Sequence, residues 1–186
     1  MSRATMTTYA ALLRAVNVGG NNLIKMADLR DLLAGLGLER VKTLLQSGNA
    51  VFDARSKDRA QLAVEISDAI HQGHGHRPDV ILRTADELRR ALDQIPFAAS
   101  ADPSLVHINF LAAPANADGA RQVSAWEGPE VVVVKGSEIY IHYPEGAGRS
   151  KLNRLPMEKL LGTRGTARNL NTVRKLLEMM KEVGGA

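Results

Sequence analysis

Val41-Lys42-Thr43-Leu44-Leu45-Gln46-Ser47-Gly48-Asn49-Ala50-Val51-Phe52-Asp53-Ala54 is the stretch on which the fold turns. Two short apolar runs flank Ser47-Gly48-Asn49, so 41–46 and 50–54 read as the strands of a tight antiparallel hairpin. Upstream, 8–16 is an apolar strand. Leu29, Leu32, Leu33 and Leu36 then recur at helical spacing, with Gly37 as the stop. Downstream, 58–72 carries Leu62, Ile66, Ala69 and Ile70 on one helical face, and 79–83 reads as a strand. Thr84 and Glu87 form a capping box for a helix over 85–94. The order β-α-β-β-α-β predicts a ferredoxin-like plait.

The pattern restarts after a linker at 97–104. A strand is expected over 105–112, a helix over 117–126, and a hairpin with arms 131–134 and 138–143 about Lys135-Gly136-Ser137. Its core, Val134 to Tyr140, matches Gln46 to Phe52 in the first hairpin, which points to an internal duplication. No fourth strand stands out in this half. A short helix over 156–161 and a longer one over 171–183 follow, the latter with Val173, Leu176, Leu177, Met180 and Val183 as its apolar stripe. The expected class is α+β: two tandem ferredoxin-like (βαββαβ-type) lobes, 1–97 and 104–186, the second incomplete and followed by C-terminal helices.

Four motifs, in this order, carry a likeness to known sequences. They are Leu13-Arg14-Ala15-Val16-Asn17-Val18-Gly19-Gly20-Asn21-Asn22; Gln46-Ser47-Gly48-Asn49; Tyr143-Pro144 through Gly148-Arg149-Ser150-Lys151-Leu152; and Thr166-Ala167-Arg168-Asn169-Leu170-Asn171-Thr172-Val173. With them the chain resembles the bacterial family catalogued as domain of unknown function 1697. The resemblance implies an α/β fold with ferredoxin-like halves and brings no established activity, substrate or catalytic residue. One departure stands in the last motif, where the family usually has Trp and this chain has Leu170.

Composition narrows the chemistry. At 186 residues and 45% hydrophobic the chain can bury a core unaided. Without cysteine it has no disulfide, thiolate metal site or thiol nucleophile, which fits a cytoplasmic protein. No apolar run is long enough to span a bilayer, so no membrane partner is expected. The net charge is +4, yet 149–175 alone holds eight cations against the single acid Glu158, a local +7 that leaves −3 elsewhere. Such a segment attracts phosphates, carboxylates or nucleic acid, or is a solvated helical surface.

The polar motifs each have two readings. The loop 17–22 joins strand to helix, where Gly19, Gly20 and backbone amides can cradle an anion; equally, it is a tight turn whose asparagines bond the backbone. The segment 146–151 lacks Walker spacing but can bind an anion through Arg149 and Lys151. Arg168 and Asn169 precede the last helix, Arg168 as a solvent-facing cation and either Asn169 or Asn171 as its cap. Strand alternation predicts His107 and Asn109 beside Tyr140 and His142 on an uncovered sheet face, a set able to do acid–base work or to form a lobe interface. His71, His74 and His76 lack a spaced carboxylate, so neither metal nor cofactor is expected. Base-stacking aromatics are scarce, with Tyr9 and Phe52 alone on the central strands of the first lobe. The leading expectation is a small anionic or phosphorylated ligand bound between the lobes, with or without catalysis. Arg14, Asn17, Gly19, Gly20, Gln46, Asn49, Arg149, Lys151, Arg168 and Asn169 would line the site. A module binding nucleic acid weakly through 149–175, or a structural protein without a small-molecule site, are the alternatives.

Overall fold

The structure is a computed structural model and describes residues 6–44, 48–55 and 58–184. Among the described residues, eight strands form two four-stranded antiparallel sheets. The first sheet comprises β1 (Met6–Leu13), β2 (Glu39–Leu44), β3 (Asn49–Arg55) and β4 (Val80–Thr84), in the order β2-β3-β1-β4. Between these strands lie α1 (Met26–Gly35) and α2 (Arg59–His74), and α3 (Ala85–Asp93) follows β4 directly. This is the ferredoxin-like order read from one edge.

Alternation along the strands sends Tyr9, Ala11, Leu13, Ala50, Phe52, Ala54 and Leu82 into one core with Leu29, Leu33, Leu62, Ile66 and Ile70 of the helices. Gly48 has φ +72°, and a Cβ there would stand 2.9 Å from that of Leu13. The first hairpin therefore needs glycine at its turn for both reasons. Between Glu39 and Lys42 the β2–β3 register shifts, and Arg40 takes φ 52°. That bulge aims Arg40 at Asp53, whose carboxylate is 1% exposed and also accepts from Thr8 Oγ1. The Thr84–Glu87 box forms, with Thr84 N donating to Glu87 Oε2 at 2.8 Å.

The second sheet corrects an expectation. It contains β5 (Val106–Leu111), β6 (Val131–Lys135), β7 (Glu138–His142) and β8 (Gly165–Asn169), in the order β6-β7-β5-β8. It is complete, and its strand order repeats that of the first sheet. The stretch before the last helix, where no strand is expected, is β8, paired antiparallel with β5 from Leu111↔Gly165 to His107↔Asn169. Its buried positions are Thr166 and Arg168, so apolar periodicity has nothing to register. What the second half lacks is a counterpart to the long α2. Two short 3-10 turns, Ala147–Arg149 and Lys151–Arg154, and the brief α5 (Met157–Leu161) occupy that stretch of chain. α4 (Ala117–Ser124) precedes β6, and α6 (Leu170–Gly184) follows β8. Leu111, Val123, Val132, Ile139, Ile141, Tyr143, Leu152 and Leu161 form this core.

The compact units differ from lobes divided at 97–104. Residues through Arg89 and those from Lys175 onward form one unit, and Arg90–Arg174 the other. The divide thus falls inside α3 and inside α6. The end of α6 belongs with the first sheet, where Lys42 Nζ meets Glu182 Oε2 at 3.0 Å and a Cβ on Gly184 would lie 3.2 Å from Thr8 Oγ1.

Candidate functional site

Within the second unit a pocket of about 290 Å³ is walled by two segments, 126–130 before β6 and 145–151 after β7. α4 ends at Ser124, so Trp126 falls in the strap beyond the helix rather than in its last turn. The strap is held by Glu130, a carboxylate 7% exposed. Its Oε2 accepts from the indole Nε1 of Trp126 at 2.8 Å, and its Oε1 accepts from the hydroxyl of Ser150. Ser150 Oγ in turn accepts from Leu152 N at 3.0 Å, capping the second 3-10 turn. Gly128 permits the tight path, because a Cβ there would lie 2.3 Å from Trp126 Nε1. One carboxylate therefore ties the two walls together. The Ser150 hydroxyl, helped by the Trp126 indole against the cost of burial, holds the Glu130 carboxyl below its ordinary value. Burial, with the charge of Glu130 second, pushes the Tyr143 phenol up to about 12. Glu127, Glu145, Arg149 and Lys151 complete the charged lining, and all four are exposed.

Arg149 and Lys151 are thus brought together with the only tryptophan of the chain. Arg168 and Asn169 are not in this lining. They lie on β8, the sheet edge opposite β6. Arg168 is not solvent-facing either. It is 9% exposed, donates from Nη1 to Thr166 Oγ1 and to the Ala167 carbonyl at 2.8 Å each, and burial lowers its pKa to about 10. Strand pairing with Ile108 turns its side chain to a buried face, which a sequence without a recognisable fourth strand does not signal. Asn169 Oδ1 accepts from Thr172 N at 2.9 Å at the start of α6.

Arg14, Asn17, Gly19, Gly20 and Asn49 belong to the first unit. Arg14 pairs with Asp79 at 3.2 Å. In the 17–22 loop the hydrogen bonds run inward. Asn17 Nδ2 donates to the Ile24 carbonyl, Asn17 Oδ1 accepts from Ile24 N, Asn17 N reaches the Asn22 carbonyl, and Asn22 Nδ2 donates to that of Ala15. Gly19 and Gly20, at φ 59° and 76°, close the turn between Val18 and Asn21. Asn49 is buried and donates to the Leu44 carbonyl at 3.2 Å. Gln46 lies outside the described residues.

The expected His107, Asn109, Tyr140 and His142 set is divided by register. β5 pairs with β7 as His107↔Ile141, Ile108↔Tyr140 and Asn109↔Ile139. Residues opposite one another share a face, so His107 and Asn109 go with the core-facing Ile139 and Ile141, and Tyr140 lies on the other face, itself fully buried. The one-residue offset moves every side chain to the opposite side. His107 packs edge-on to Tyr143, ring centroids 5.1 Å apart, and burial lowers its pKa. Among the described residues no group of three or more His, Cys, Asp or Glu is placed to hold a metal ion, and no helix is long and apolar enough to cross a membrane. Trp126, Glu127, Glu130 and Glu145 are the pocket residues that sequence reasoning passes over, and the one signal for any of them is that the chain has a single tryptophan.

Comparison with known proteins agrees with this architecture. Residues 6–140 match the family described as a protein of unknown function, DUF1697. None of the curated proteins matches the chain. Among solved structures, the conserved bacterial protein SP0830 from Streptococcus pneumoniae superposes with a TM-score of 0.75 at 28% identity, covering 95% of this chain and 100% of that one. With the family pattern running through the first sheet and into the second, the chain belongs to the DUF1697 family.

Proposed function

We propose that this protein binds a small molecule bearing a phosphate or carboxylate in the pocket walled by 126–130 and 145–151, a site built from the second unit alone. The carrying observation is that Arg149, Lys151 and the lone Trp126 line one pocket whose walls are joined through the buried Glu130. Arg149 and Lys151 supply charge-assisted donors, and Trp126 supplies apolar area for the rest of the ligand. As a cysteine-free chain it suits a reducing compartment, and the cytoplasm is part of this reading.

A thermal-shift and tryptophan-fluorescence screen over phosphate, sugar phosphates, nucleotides and carboxylates tests it, since a ligand that binds the native state raises the melting temperature. The single indole reports on this pocket directly. For any ligand found, Arg149→Met with Lys151→Met should weaken binding by roughly ten- to a hundred-fold, the loss of contacts worth about 1.5–3 kcal/mol. Unchanged affinity in that double variant sinks the proposal. Weak binding to nucleic acid is the second reading, favoured by the exposure of Arg149, Lys151, Arg154, Lys159, Arg164 and Arg174 in one basic stretch. Its signature would be affinity falling log-linearly with salt.

A further inference from the structure

Resting on that reading of the pocket, we infer that its ligand is a zwitterion, a small molecule carrying an ammonium group as well as a phosphate or carboxylate. Some charged side chains elsewhere on this protein are ion-paired, among them Arg59 with Glu87 at 2.7 Å, Arg77 with Asp68 at 2.6 Å, Arg14 with Asp79 at 3.2 Å and Lys175 with Glu178 at 3.0 Å. Others, such as Asp28, Asp31, Arg154 and Lys159, are not ion-paired among the described residues. The pocket is distinctive in gathering unpaired charges of both signs around one space. Among the described residues, Glu127, Glu145, Arg149 and Lys151 line one space of about 290 Å³ and none of them is ion-paired, with each other or with any neighbour. Glu130 does not neutralise the cations, because its two oxygens accept from Trp126 and Ser150.

Two open charges of each sign around one small pocket complement a molecule that carries both signs. A plain anion would gain Arg149 and Lys151 but would be repelled by Glu127 and Glu145, and a plain cation would meet the converse. Trp126 favours the zwitterion further. Its indole N–H is committed to Glu130, which holds the ring in one orientation, and the electron-rich face of an indole attracts an ammonium group.

The test is calorimetric titration of the full chain with matched pairs that differ in the ammonium group: O-phosphoethanolamine against ethyl phosphate, and γ-aminobutyrate against butyrate. The ammonium-bearing member of each pair should bind about ten-fold tighter or more. In the double variant Glu127→Gln, Glu145→Gln that preference should vanish, while ethyl phosphate binds at least as tightly as to the wild type. Both glutamates are exposed, and a melt of the variant checks that its fold is retained. Equal affinity within both pairs of the wild type, or preference for the plain anion, overturns the zwitterion and leaves the anion pocket standing. No heat with any of the four compounds overturns both.

Discussion

Arg168 and Glu130 show how much a single residue's role depends on its surroundings. Arg168 lies in a basic run that reads as surface, yet its guanidinium is buried on β8 and bonded to Thr166 and the strand backbone. Arg168→Ala should cost about 2–4 kcal/mol of stability in urea denaturation, through lost packing and a stranded Thr166 hydroxyl. Arg168→Met, which keeps much of the volume, should cost less. Near-equal, small losses would mean that the strand does not depend on this side chain. Glu130 carries a pH signature. Its folded pKa lies below the ordinary 4.5, first because Ser150 donates to it, so the unfolded chain binds the proton more tightly. The stabilisation is therefore complete above the ordinary glutamate range and is lost as pH falls through the lowered value. Glu130→Gln should melt lower near neutrality, and its melting temperature should fall less steeply than that of the wild type below about pH 4.5.

At the scale of elements, the second half works with less helix than the first, and its short pieces depend on close approach. α4 and α5 meet at Gly119, where a Cβ would lie 1.9 Å from the Leu160 carbonyl oxygen. Asn116 joins the same elements, accepting from Gly119 N at 2.7 Å and donating to the Leu160 carbonyl at 2.6 Å. Gly119→Ala must push the helices apart and should cost about 1–3 kcal/mol in equilibrium denaturation. A variant as stable as the wild type would show that α5 can shift without loss. The hairpins were legible because a glycine turn between β-branched or apolar runs is a local signal. β8 was not, because it is five residues long, alternates polar side chains inward, and exists only through its pairing with β5.

Across the whole molecule, α3 and α6 are divided between the two units, and α6 opens after β8 and ends with the first sheet. Leu176, Met180 and Val183 of α6 are buried, so the later turns of this helix belong to a core. Leu176→Ala should destabilise by about 2–5 kcal/mol, as for other large-to-small core changes. A loss below about 1 kcal/mol would mean that α6 frays at little cost. The repeat of strand order across the two sheets places Ala10↔Arg83 of the first at the same position as Ile108↔Arg168 of the second. Each sheet thus carries one buried arginine on its fourth strand, and this register sets Val51, rather than the Phe52 of the hairpin match, at the position equivalent to Tyr140.

The sequence by itself determined the class of this protein, its duplicated hairpins, its helix faces and the capping box at Thr84, because each is written in neighbours a few residues apart. It also placed Arg149 and Lys151 in a glycine-rich loop beside a cationic run. Only the tertiary structure decided that β8 completes the second sheet, that Arg168 is buried, and that His107 and Tyr140 lie on opposite faces. It alone brought Trp126 and Glu130 to Ser150, twenty residues on from Glu130. The physical reason is the same throughout. Strand pairing, register and the burial of polar groups are settled by partners distant in the chain, and local periodicity carries no information about which partner a strand or a carboxylate will meet.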